Sequence, residues 1–126
     1  LCAEYAEFDG TPFSIGKEFW GQRHDWYYSD SYRTIANIGL DYAWFMKDEE
    51  QRAIAGRLQN FFKGTLKEED RDGVYEIDGT VLDKKALHPV AIIATNAQAS
   101  LASDSKYAEE FVRAFWNTPL RTGDRR

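Results

Sequence analysis

The chain contains one cysteine, Cys2, which excludes an internal disulfide and leaves the redox compartment open. It has no run of about 18 apolar residues, so no segment reads as a membrane span. Positive charge is neither abundant nor striped. The formal net charge is −5, which argues against nucleic acid as the main partner. Histidine and cysteine do not cluster at metal-ligand spacing, so no metal is expected. A glycine-rich phosphate loop after a strand is also missing, so no nucleotide or other cofactor is expected. An export signal is not visible. The first residue is Leu1 rather than Met, and we read the chain as a piece of a longer protein.

Aromatic residues, by contrast, are plentiful. The 126 residues are 43% hydrophobic and 15% aromatic, with four Trp, seven Tyr and eight Phe. That is enough for one domain with a real core. The aromatic share suits stacking on sugar rings and suits a large aromatic core equally well.

The richest stretch is 27–45. Asp30 and Arg33 sit three apart at the expected start of a helix, and Phe19, Trp20, Trp26, Tyr27 and Tyr28 crowd the approach. Free N–H groups and the dipole at a helix start favour a carboxylate there. Arg33 lies about one turn later on the same face and can orient that carboxylate. A fixed carboxylate beside aromatic platforms is what sugar hydrolysis needs. The plainer readings stand beside it. Asp30 also suits a simple N-cap, Arg33 a surface ion pair and His88 a loop end. Trp26 and Tyr28 either line a cleft or pack beneath one. His24-Asp25 reads as loop structure, and Glu4 and Glu7 receive no role.

Four helices are expected. The first spans roughly 31–46, with Tyr32, Ile35, Ile38, Gly39, Tyr42 and Phe45 inward. The second is capped by Asp48, with Gln51 at the capping-box position, and runs to Lys63 with Gly64 as its stop. Its inward residues are Ala53, Ile54, Leu58, Phe61 and Phe62. A charged loop over 67–72 and a short hairpin on an Asp78-Gly79 turn follow. The third helix begins at His88-Pro89 and runs to about Ala102, its alanines implying close helix contacts. The fourth spans about 105–116, with Tyr107, Phe111, Val112, Ala114 and Phe115 inward, and ends at Thr118-Pro119. Gly16 and Gly21 interrupt the first 25 residues. The long connections 1–29 and 64–87 precede the helices that begin near Asp30 and His88, which is the layout of a helical array with its site at one end.

These elements together resemble glycoside hydrolase family 8. The resemblance rests on Asp30-x-x-Arg33 followed by Asn37-Ile38-Gly39-Leu40-Asp41, then Ala94-Thr95-Asn96-Ala97. It continues through Ala108-Glu109-Glu110-Phe111, Phe115-Trp116-Asn117, Pro119 and Thr122-Gly123. It covers most of the chain and corresponds to the C-terminal third of the family's catalytic domain. It implies an all-α fold, an incomplete part of an (α/α)6 barrel of about four helices with long loops and a short hairpin. Residues 1–126 would then be one portion of a single domain truncated at both ends.

Leu87-His88-Pro89 further resembles a loop of the reducing-end xylose-releasing exo-oligoxylanases, with Val90 where serine is expected. The resemblance implies inverting hydrolysis of β-1,4-xylo-oligosaccharides, with Asp30 as general base and Arg33 orienting it. His88 would bind the reducing-end xylose, and Trp26 and Tyr28 are candidate substrate contacts. The general acid would lie outside this chain, so the isolated piece is expected to be inactive, and a cytoplasmic location is implied. Asp41 is expected to be structural. The alternatives are an endo-acting member (xylanase, endoglucanase, lichenase or chitosanase) and a non-catalytic helical sugar-binding domain.

Overall fold

The computed structural model describes residues 1–14, 23–46 and 48–119. Phe19, Trp20, Gly16, Gly21 and the Thr122-Gly123 pair lie outside the described residues. Those described form α1 (Tyr32–Phe45), α2 (Glu49–Asn60), a hairpin of β1 (Gly73–Tyr75) and β2 (Val81–Lys85), α3 (Pro89–Ala99) and α4 (Ala108–Trp116). None of these helices is long and apolar enough to cross a membrane.

Tyr32, Ile35, Ala36 and Gly39 recur at three- or four-residue spacing, and this face of α1 is buried. Ile38 and Tyr42 pack at its margin. Phe45 departs from the expected inward set. It is exposed with Trp44 and Met46 at the end of the helix. Met46 closes the helix in the left-handed conformation, at φ 47°. Asp48 caps α2 as expected, accepting from the Glu50 N–H at 2.9 Å. Gln51 does not complete a capping box. Its side chain donates instead to Asp41 at 2.6 Å, tying α2 to α1. Asp41 is therefore a helix-hairpin tether, in line with its expected structural role.

The buried stripe of α2 is Ala55, Leu58, Gln59 and Phe62, which leaves Ala53 on the opposite, exposed side. Gly64 is not a left-handed stop. The helix widens into a π turn over Phe61–Thr65 and ends when Leu66 turns extended and bonds to the Phe61 carbonyl at 3.0 Å. On α4 only Phe111 is deeply buried. Val112 and Phe115, expected inward, are exposed.

The hairpin forms on Asp78-Gly79 as expected, with Gly79 at φ 96°, a conformation open to glycine. It also receives a third segment, since Tyr27 bridges to Tyr75, its N–H meeting the Tyr75 carbonyl at 2.8 Å.

The seam between α1 and α3 positions the site. Gly39 faces the backbone of Gln98 and Ala99, and a β-carbon at Gly39 would stand 2.5 Å from the Gln98 carbonyl oxygen. At the other end, Tyr32 and Arg33 share a cleft with Val90, Ala91 and Ala94. Low numbers meet low and high meet high, so the two helices run parallel and start at the same end. Ala97 and Ala99 are buried, which makes this approach sterically feasible. Gln59 adds a polar tie from α2, donating to the Asn96 carbonyl and to Ser100 Oγ, both at 2.9 Å.

Replacing Gly39 with Ala should lower stability by about 1–3 kcal/mol, since the overlap is with backbone. Gly56→Ala meets only Ser103 Oγ at 3.8 Å, and should raise stability by about 0.5–1 kcal/mol. Denaturant unfolding of both variants in the complete protein reads the opposite signs.

A second expectation concerns alkali. Burial raises the phenols of Tyr27 and Tyr32 well above the ordinary value and pushes Tyr75 up to about 12. The folded state thus favours the protonated phenols. Their stabilisation is complete below pH of about 10 and is lost as pH rises through about 12. Tyrosinate absorbance followed beside unfolding should show these rings titrating late and together with loss of structure.

Candidate active site

Asp30 is delivered by a segment pinned on two sides. Residues 4–5 lie along residues 24–26, with Glu4 N–H on the Trp26 carbonyl at 3.0 Å and Tyr5 N–H on the His24 carbonyl at 2.8 Å. Tyr27 is held from the other side by Tyr75. The chain then makes a tight 3₁₀ turn over Ser29–Ser31 and enters α1. Ser29 has φ 44°, a left-handed conformation uncommon for a residue with a side chain.

The simple N-cap reading of Asp30 does not hold. The residue lies inside the 3₁₀ turn, and neither that turn nor α1 has a side-chain cap. Its carboxylate instead meets Arg33, Oδ1 to Nη2 at 2.7 Å. The three-residue spacing therefore does bring the pair together. The Asp30 and Arg33 side chains are 45% and 74% exposed, so this ion pair stabilises by only about 0–1 kcal/mol. The carboxylate is held by one oxygen while remaining open to water.

His88 occupies the N-cap position of α3, with Pro89 in the first turn and its own carbonyl accepting from Ala91 N–H at 2.9 Å. Its side chain makes no cap, which leaves the ring to the cleft. That cleft, of about 420 Å³, is lined by Asp30, Arg33, His88, Tyr32, Val90 and Thr95 among others. Asp30 and His88 are far apart in sequence, and the parallel α1–α3 pair brings them to one wall.

Trp26 and Tyr28 lie elsewhere. They are 5% and 4% exposed and pack on Val74 with Leu82 alongside. Trp26 Nε1 donates to Glu76 at 3.2 Å, and Arg23 and Lys84 stand 5.7 and 5.4 Å from its ring centre. Both rings are buried against the hairpin and neither lines this cleft. Tyr32, which the helical pattern marked only as core, also lines the cleft, though it is 2% exposed and its ring packs on Tyr27. His24 pairs not with Asp25 but with Glu4, Nδ1 to Oε2 at 2.8 Å, while Asp25 binds Arg23. No local pattern signals a Glu4–His24 pair. Among the described residues no cluster of His, Cys, Asp and Glu could hold a metal ion.

The cleft thus gathers a carboxylate–arginine pair and an imidazole at the shared start of two parallel helices in a helical array. Solved structures show which array. That of Rex8A from Paenibacillus barcinonensis complexed with xylose superposes with a TM-score of 0.84 at 45% identity, covering 96% of this chain and 31% of that one. A reducing-end-xylose releasing exo-oligoxylanase variant complexed with xylobiose gives 0.81 at 46% identity, covering 96% and 30%. The fold is thus part of an (α/α)6 barrel.

In sequence, the chain is similar over its whole length to reducing-end xylose-releasing exo-oligoxylanases. Identity is 47% to Rex8A of P. barcinonensis and 48% to the enzyme of Halalkalibacterium halodurans, each over 127 residues. It spans 32% and 31% of their lengths, about a third of the relatives it matches. No family model matches the chain.

Proposed function

We propose that the protein to which these residues belong is an inverting glycoside hydrolase. It removes xylose from the reducing end of β-1,4-xylo-oligosaccharides, with Asp30 as general base. The observation that carries this reading is the convergence of Asp30, Arg33 and His88 on one cleft. Inversion requires a water on the face of the sugar opposite the leaving oxygen, and a carboxylate to take its proton. Asp30 is ionisable, half exposed and fixed at one oxygen by Arg33. The second oxygen remains for water. The general acid is assigned to a glutamate outside these residues, about 6.5–9.5 Å from Asp30 when the barrel is complete.

His88 is assigned to the anomeric hydroxyl of the terminal xylose. An imidazole donates and accepts, as a hydroxyl does, so it can read that group. A relative, Rex8A, has been solved as a double variant of an adjacent leucine and histidine, the residue pair that Leu87-His88 also presents. Relatives complexed with xylose and xylobiose support the substrate class. The same reading puts the enzyme in the cytoplasm, where short oligomers would meet it after import. Activity recovered in culture supernatant would count against that location.

Digestion of xylotriose labelled in its reducing xylose, followed by proton NMR with the complete protein, tests the whole reading. Labelled free xylose and an α-configured new end on xylobiose are expected. Asp30→Ala should cut turnover by about 10²–10⁴-fold with the fold retained. His88→Ala should release mixed products while bond cleavage persists. Wild-type turnover in Asp30→Ala would reject the base assignment, and unchanged end selectivity in His88→Ala would reject the exo assignment.

A further inference from the structure

Arg33 touches Asp30 from the solvent side, where an exposed cation grips weakly. The firmer constraint comes from behind. The Glu4 side chain is 7% exposed and uses both carboxylate oxygens. Oε2 meets His24 Nδ1 at 2.8 Å, and Oε1 accepts the backbone N–H of Asp30 at 3.3 Å. An ionised carboxylate can only accept, so His24 Nδ1 carries the proton in this contact. The imidazole is fixed in turn by the Tyr5 ring, stacked at 4.4 Å and within 9° of parallel. One side chain thus clamps the catalytic segment before its turn, at His24, and within it, at Asp30. Between these points lies Ser29 at φ 44°. A strained conformation of this kind persists only when its surroundings over-determine it. Relaxing Ser29 would rotate the next peptide and shift Asp30.

We propose that Glu4, held by His24, is a positioning residue that fixes the main chain of Asp30 relative to the attacking water. The proposal rests on the reading of Asp30 as general base. Glu4 acts through the backbone and touches no substrate, so its loss should appear in kcat and not in KM. A displacement of about 1 Å at a catalytic group costs up to about 10²-fold in rate.

In the complete protein, Glu4→Ala should lower kcat about 10- to 100-fold with KM within about twofold. Glu4→Gln keeps an oxygen acceptor for the Asp30 N–H and should restore kcat to within about fivefold of wild type. Wild-type kcat in a folded Glu4→Ala overturns the proposal, as does a loss confined to KM. An equal loss in Glu4→Gln overturns it too. If Glu4→Ala does not fold, His24→Phe replaces it, keeping the stack on Tyr5 and deleting the donor. A several-fold loss of kcat is then expected, and wild-type kcat rejects the clamp. Asp30→Ala run alongside separates the two ideas. If it is active, the base reading fails and the clamp with it. If it is inactive while Glu4→Ala turns over normally, only the clamp fails.

Discussion

The structure depends on the contact between Gly39 of α1 and the backbone of Gln98 and Ala99 in α3. Helices that approach with no side chain between them have little freedom to slide or rotate. Their parallel direction follows from which residues meet along the seam. From that direction follows the common end at which α1 and α3 begin. Asp30 enters one helix there and His88 the other, so a steric fact at the far end of α3 determines who meets at its start. The hairpins that carry α2 and α4 return the chain to that end, and the Gln59 bonds to Asn96 and Ser100 keep α2 registered against α3.

The site itself divides its labour between wet and dry surroundings. The pair Asp30–Arg33 stands in water, where charge attraction is screened but orientation survives. Behind it, aromatic packing under Trp26 and Tyr28, the Tyr27–Tyr75 bridge and the Glu4–His24 contact are buried. A carboxylate that must reach a water molecule cannot itself be enclosed. Precision has to come from the chain that carries it.

Much of this was legible in the sequence where the cause is local. Three-residue spacing brought Asp30 to Arg33, Asp48 capped its helix, Asp78-Gly79 turned its hairpin, and alanines marked the close seam. Phase along a helix was less legible. Ala53, Phe45, Val112 and Phe115 are apolar, and periodicity alone does not tell which apolar residues a neighbour will cover. Asp30 showed the limit of capping logic, since a 3₁₀ turn ahead of α1 took the place of the cap. The Glu4–His24 pair and the place of Tyr32 in the cleft lining were not legible at all. Both depend on segments that meet only after the chain has folded. Trp26 and Tyr28 were visible as aromatic, but their burial depends on the hairpin that arrives some fifty residues later, at Val74.

That hairpin serves two masters. Its first strand anchors Tyr27, three residues before Asp30, and its second strand leads directly into Leu87 and His88. The segment that carries Asp30 and the segment that carries His88 therefore share one mechanical support. Lengthening or remodelling this connection to admit a different sugar would transmit its displacement to the base. On the proposed reading, divergence towards new substrates would be coupled to loss of rate, and an opened cleft would call for compensating changes along the Tyr27–Tyr75 bridge.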